Sequence, residues 1–308
     1  MNNEQAVLRN SIVLTVLLAA ASLVFGLTIR SNAIVFDGIY SLVDAAMTGL
    51  AFVVARLIAA SNAADVSGRP FHERFTMGFW HLEPIVLGLN GTLMTGAAIY
   101  ALVNAVSALL AGGHPLHFGA AMIFEGSVTL VAIGMLTYTR LANRAIRSHL
   151  VALDSKAWAV SVALGLALVI AFVAGFVIKG GSLRGFAPYV DPAALALIAL
   201  AVIPVPLGTI RRALADILLV TPQGMKDHVD GVAREAVRRL GFLSYRAYVA
   251  RVGRGSQIEL FFIVPPNEPA RRLEEWDALR DEIGQALGPD SPDRWLTIVF
   301  TTDPEWAN

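Results

Sequence analysis

Apolar residues in this chain come in long, nearly unbroken runs up to about residue 207, and only afterwards in periodic stripes. Runs long enough to cross a bilayer, at least ~17 to 20 residues, occur at Val7–Ile29, Ala33–Ala60, Phe79–Ala111, Phe118–Tyr138, Leu150–Ile178 and Ala193–Leu207. They predict six transmembrane helices, the last the shortest and interrupted by Pro204 and Pro206. Past Thr221-Pro222 the pattern changes. Met225–Leu240 places Val229, Val232, Ala233, Ala236, Val237 and Leu240 on one stripe, with Gly241 at a C-cap position. Ser244–Val252 and Gln257–Val264 read as strands around a Gly253-Arg254-Gly255 turn, Ala270–Leu287 as a second helix and Trp295–Thr301 as a last strand. The predicted fold is therefore membrane α-helical: six transmembrane helices in residues 1–216, then a small α+β domain of ferredoxin-like order, αββαβ, in residues 217–308. A three-stranded sheet with both helices on one face leaves a face or edge open, and a second copy of the chain is the simplest partner.

Composition supports this division. The 308 residues are 56% hydrophobic and 16% charged, against the roughly 25% charged usual in soluble domains. Residues 1–216 hold 13 Lys/Arg and 10 Asp/Glu, whereas residues 217–308 hold 11 and 14 in less than half the length. The second segment is thus soluble in character. Net charge is zero, which suggests no nucleic-acid partner. There is no cysteine, so disulfides, thiolate metal ligands and cysteine nucleophiles are excluded. No small-residue cleavage site follows the first apolar run, which is expected to remain as a span. Six spans put both ends on one side. That side collects nine arginines, from Arg9 to Arg212, against Arg30, Lys179 and Arg184 on the other. The basic side is expected to be cytoplasmic, in an integral protein of a bacterial inner membrane.

Against this apolar background the acids stand out. Asp37 and Asp44 lie within the second run, where each carboxylate costs at least ~2.5 kcal/mol to insert, so such groups usually mark an ion or proton path. Seven residues apart on a helix, they share a face about 10 Å from one another. Asp154 lies near the start of the fifth run; it serves the path, pairs with Lys156, or caps the helix. Glu125 is deeper in the fourth run and is either a relay group or satisfied by Ser127 or Thr129.

The stretches Asp37-Gly38-Ile39-Tyr40-Ser41-Leu42-Val43-Asp44 and Phe75-Thr76-Met77-Gly78-Phe79-Trp80-His81-Leu82-Glu83 resemble signatures of the cation diffusion facilitator family of divalent-metal/proton antiporters. Asp191-Pro192 and Leu214-Ala215-Asp216 also resemble family positions, as do the six spans and the small tail. The resemblance implies efflux of a divalent cation from the cytoplasm in exchange for protons, by a homodimer joined through its C-terminal domain, with the metal as cargo and no cofactor. Its tetrahedral transport site would fall on Tyr40, Asp44, Ala157 and Ser161. Only Asp44 of these is a strong ligand, and the imidazole that zinc favours is absent.

With the second and fifth spans antiparallel, Asp154, Asp44 and Asp37 form a ladder from the cytoplasmic side outward. The Tyr40 phenol and the Ser41 and Ser161 hydroxyls complete an all-oxygen path suited to Mn²⁺, Fe²⁺ or Mg²⁺, with Co²⁺ and Zn²⁺ as borderline cargo, or to protons. Trp158 either packs or fills space beside Ala157. His72 and His81, with Glu73 and Glu83, form an accessory metal site or a solvated loop; His228, between Asp227 and Asp230, sits at a helix start or in a regulatory metal site. His114 and His117 receive no role. Two other readings stay open: a non-transporting paralogue acting as membrane partner or metal sensor, and a proton- or Na⁺-coupled carrier of another solute. An enzyme is not expected, because the tail shows no phosphate loop or paired catalytic motif.

Overall fold

The computed structural model describes residues 2–61, 78–146 and 149–307; His72 and the Phe75–Met77 part of the second signature lie outside them. The helices are α1 (Asn2–Ile29), α2 (Asn32–Ser61), α3 (Leu82–Leu110), α4 (Phe118–Ile146), α5 (His149–Gly180), α6 (Val190–Val202) and α7 (Leu207–Ile217), with a 3-10 turn at Arg184–Tyr189. The tail adds α8 (Gln223–Leu240), β1 (Ser244–Val252), β2 (Gly255–Ile263), α9 (Leu273–Ala286), β3 (Arg294–Thr301) and a short 3-10 turn at Pro304–Ala307. Among the described residues six helical segments are long and apolar enough to cross a membrane, the last running Arg184–Ile217. This last segment is longer than the apolar run suggested. Pro204 and Pro206 lack amide protons and end α6, but the turn between them is spanned by Val205 N donating to Val202 O (3.0 Å) and Leu207 N to Pro204 O (3.3 Å), and helix resumes in α7. Likewise α4 runs past Tyr138 to Ile146, because arginine is a good helix former once the apolar run stops.

The chain divides into two compact units, Met1–Gly49 with Leu89–Gly208, and Leu50–Gly88 with Thr209–Asn308. The first unit is built on a buried cluster that includes Ile34, Phe36, Phe118, Leu168, Phe172 and Leu195. Ala98, Ala101 and Ala105 put a stripe of small side chains from α3 into it, the device by which helices approach closely where no water drives them together. Outward positions are equally apolar: Val24, Leu27, Ile170 and Val177 are exposed, as a surface facing lipid requires. Gly38 lets α2 lie against α1, since a Cβ there would come within 2.9 Å of the Ala19 carbonyl.

One acid of this unit holds the fold together. Ser31 precedes α2 and accepts from Ile34 N (3.3 Å) as an N-cap. Its hydroxyl donates to Asp191 Oδ1 (2.5 Å), and Asn32 N donates to Asp191 Oδ2 (3.0 Å). Asp191, 1% exposed at the start of α6, thus compensates the positive end of α2.

In the second unit the sheet has the order β1-β2-β3, β1 and β2 antiparallel and β2 and β3 parallel. Its inner face, with Val249, Ile258, Leu260, Phe262 and Ile298, packs with Val229, Ala233 and Ala236 of α8 and Ile283 of α9. Both helices therefore share one core, as the αββαβ order predicts. Gly241 ends α8 at φ 72°, with Phe242 N donating to Val237 O (3.1 Å), the expected left-handed cap. The β1–β2 turn, with Gly253 at φ 62°, rests on the residues leading into α3. A Cβ at Gly253 would lie 2.9 Å from the Trp80 carbonyl, and Arg254 donates through its backbone N (3.1 Å) and Nε (2.9 Å) to Glu83. Asp216 at the end of α7 accepts from Arg251 Nε at 3.0 Å.

Two stability measurements follow from these contacts. Asp191→Ala leaves the buried Ser31 hydroxyl and the partly buried Asn32 amide unpaired and is expected to cost about 1–3 kcal/mol, read as a lowered unfolding midpoint in detergent. Gly241→Ala forces a side chain into the left-handed region at about 1–2 kcal/mol, seen as faster hydrogen exchange at the end of α8 in the full-length protein.

Candidate functional site

Apart from Asp191, four acids of the first unit, Asp37, Asp44, Glu125 and Asp154, fall into two pairs. Asp44 of α2 and Asp154 of α5 are close enough to repel one another, as are Asp37 of α2 and Glu125 of α4. The seven-residue spacing on α2 separates the pairs by about two turns. Each pair therefore draws one acid from α2 and one from another helix. Among the described residues no three His, Asp or Glu side chains gather into one metal cage.

Asp154 is held from α1. Ser11 donates to Asp154 Oδ1 (2.7 Å) and accepts in turn from Trp158 Nε1 (2.8 Å), while Asp154 Oδ2 is buried without a partner. Trp158, 4% exposed, is thus a donor in the acid's support as well as a packing group. Lys156 is exposed and makes no ion pair with Asp154 among the described residues. The neighbouring α4–α5 contact carries a second polar link, Thr139 Oγ1 to Ser155 Oγ at 3.2 Å.

The other pair opens onto a cavity of about 30 Å³ lined by Asp37, Ser41, Glu125 and Ser161, together with Thr15, Ser22, Thr129 and Trp158. That is room for one or two waters or a single ion. Glu125 is 1% exposed, and its Oε2, Thr129 Oγ1 and Ser22 Oγ are all buried without hydrogen-bond partners. Ser127 cannot serve Glu125, because its hydroxyl is on the exposed side and donates to Ile123 O (2.8 Å). Of the positions that the resemblance singled out, Ser161 lines the cavity, its hydroxyl 3.3 Å from Ala157 O, while Ala157 is exposed. Tyr40 packs its ring on Phe36, 5.6 Å between centroids.

The remaining candidates, Glu83 and His228, sit elsewhere. The Glu83 carboxylate is engaged by Arg254. His228 Nε2 lies 3.3 Å from Leu287 O, beside a groove between α8 and α9 that also carries Asp227, Glu235, Arg239 and Glu282. There the Arg239 hydrogen bond holds the Glu282 carboxyl below its ordinary range. Nothing in the apolar runs alone singled out Ser11, Thr15 and Ser22. Their spacing of four and seven residues on α1 is the signal that could have done so, since hydroxyls aligned on one face of a span serve other helices.

Residues 8–218 match the cation efflux transmembrane domain family. No curated protein matches the chain. The matched segment covers the six candidate spans, all but the first two residues of the first, and both acid pairs, and the chain belongs to the cation efflux family, whose members move metal cations across membranes.

Proposed function

We propose that this protein exports a divalent metal cation from the cytoplasm in exchange for protons, using Asp154, Asp44 and Asp37 as successive stations and the oxygens of Tyr40, Ser41 and Ser161 beside them. The observation that carries the reading is that Asp37 and Glu125 line one cavity inside an apolar bundle with no basic residue among its lining side chains, while Asp154 keeps a buried oxygen without a partner. Acids that repel one another bind a cation when ionised and a proton when it leaves, which is the exchange an antiporter needs. An oxygen-only set favours Mn²⁺, Fe²⁺ or Mg²⁺ over the softer Co²⁺ and Zn²⁺. A cavity of about 30 Å³ has no room for an organic solute, which speaks against a carrier of other cargo.

In this reading residues 1–216 transport and residues 217–308 form a cytoplasmic dimerisation and regulatory domain, with both termini in the cytoplasm. The sheet face turned away from α8 and α9 supports a self-association role: Tyr248 and Trp295 are exposed there, and Tyr248 meets Phe261 edge-on at 6.0 Å. Tyr40, Ala157 and Ser161 standing where the resemblance calls for strong ligands motivates one competitor, a non-transporting paralogue acting as membrane partner or metal sensor.

Proteoliposomes offered Mn²⁺, Fe²⁺, Mg²⁺, Co²⁺ and Zn²⁺, with internal pH recorded, separate these readings. The native protein is expected to couple metal flux to proton movement, and Asp44→Asn, Asp37→Asn and Asp154→Asn to reduce that flux toward background. Unchanged flux in Asp44→Asn would overturn the pathway. A sensor would show no flux in the native protein and would lose its output on truncation after Asp216.

A further inference from the structure

We propose that the cavity bounded by α1, α2, α4 and α5 is an oxygen-only binding site for a dehydrated divalent cation, with Glu125 and Asp37 as its charged ligands. This rests on the transport reading above and moves the cation away from the positions where the family resemblance puts it. Tyr40, Asp44 and Ala157 do not line this cavity; of that set only Ser161 does.

Buried polar atoms are nearly always paired, yet three unpaired oxygens, Glu125 Oε2, Thr129 Oγ1 and Ser22 Oγ, belong to side chains lining this one cavity. Glu125 is 99% buried and comes from a helix that the family's ligand set does not use. The two carboxylates can balance a divalent charge, and Ser22, Ser41 and Thr129 add neutral oxygens to the shell. No imidazole, thiol or amine lines the cavity, so the donor set suits a hard cation such as Mn²⁺ or Mg²⁺. The volume of about 30 Å³ admits an ion only after it sheds most of its water.

Gly165 on α5 keeps the space open. A Cβ at that position would run into Thr129 Oγ1 and come within 3.4 Å of Glu125 Oε1. Glycine there is explained by the need for α5 to pass close to two oxygens without filling the space between them. With Ala157 and Ser161 standing where the resemblance calls for ligands on α5, α4 supplies the second carboxylate instead.

The test uses the purified full-length protein and Mn²⁺ alone, with binding followed by calorimetry and by the electron paramagnetic resonance signal of the free ion. Glu125→Gln is expected to weaken Mn²⁺ binding by at least the roughly 10–100-fold that losing even an outer partner of a metal site costs. Glu125→Asp, which keeps the charge, should recover part of it, and this recovery separates a lost ligand from a damaged fold. Gly165→Ala changes no charge and should also weaken binding, whereas Ser127→Ala on the exposed side of α4 should leave it unchanged. Native Mn²⁺ affinity in Glu125→Gln, or displacement of Mn²⁺ by excess Na⁺, would overturn the site. If Glu125→Gln binds and transports Mn²⁺ as the native protein does, this site falls while the export reading stands. If native vesicles show no metal flux but Mn²⁺ binding still depends on Glu125, the export reading falls alone.

Discussion

A carboxylate buried among apolar helices has to be compensated, because removing its water costs far more than any one packing contact returns. The acids of this protein are compensated to different degrees. Asp191 receives the Ser31 hydroxyl and the Asn32 amide at the positive end of α2, and Asp216 has Arg251. Asp154 has a single hydroxyl donor, steadied by Trp158, and one bare oxygen. Glu125 keeps a bare oxygen beside a cavity. Well-satisfied acids hold elements in place, and poorly satisfied ones retain capacity for a cation or a proton.

Helix geometry sets these acids at two levels of the bundle. Asp37 and Asp44 lie on one face of α2 because seven residues make nearly two turns, and each meets an acid from another helix. The approach of those helices depends on missing side chains: Gly38 brings α2 onto α1, and Gly165 brings α5 onto Thr129 and Glu125. The α1 hydroxyls then reach both levels, Ser11 at Asp154 and Ser22 at the cavity. Through these hydroxyls α1 serves both pairs.

The tail is patterned differently from the spans. Its helices are striped, its core is aromatic and aliphatic around Phe242, Phe262 and Phe300, and its turns use glycine where φ is positive. Within its own unit the β1–β2 turn grips the start of α3 through Trp80 and Glu83. Glu83, which in sequence resembles part of the entry to the third span, thereby has a structural partner.

Span number, the αββαβ order of the tail and the seven-residue acid spacing on α2 were all legible in the sequence, because they depend on local periodicity and on the length of apolar runs. Gly241 was legible for the same reason: a helix that ends needs a residue able to turn left-handed. The partners of the acids were not. Ser11 lies 143 residues from Asp154, and Ser31 lies 160 from Asp191, so no local pattern relates them. Glu125 showed only as an isolated charge with two possible local partners; packing turned Ser127 to the outside and placed Thr129, itself unpaired, at the cavity. The sequence by itself determined where charge enters the membrane domain, since composition and spacing are properties of the chain. Tertiary structure decided which charges are satisfied and which stay open, because compensation requires donors that only helix packing brings within hydrogen-bonding distance.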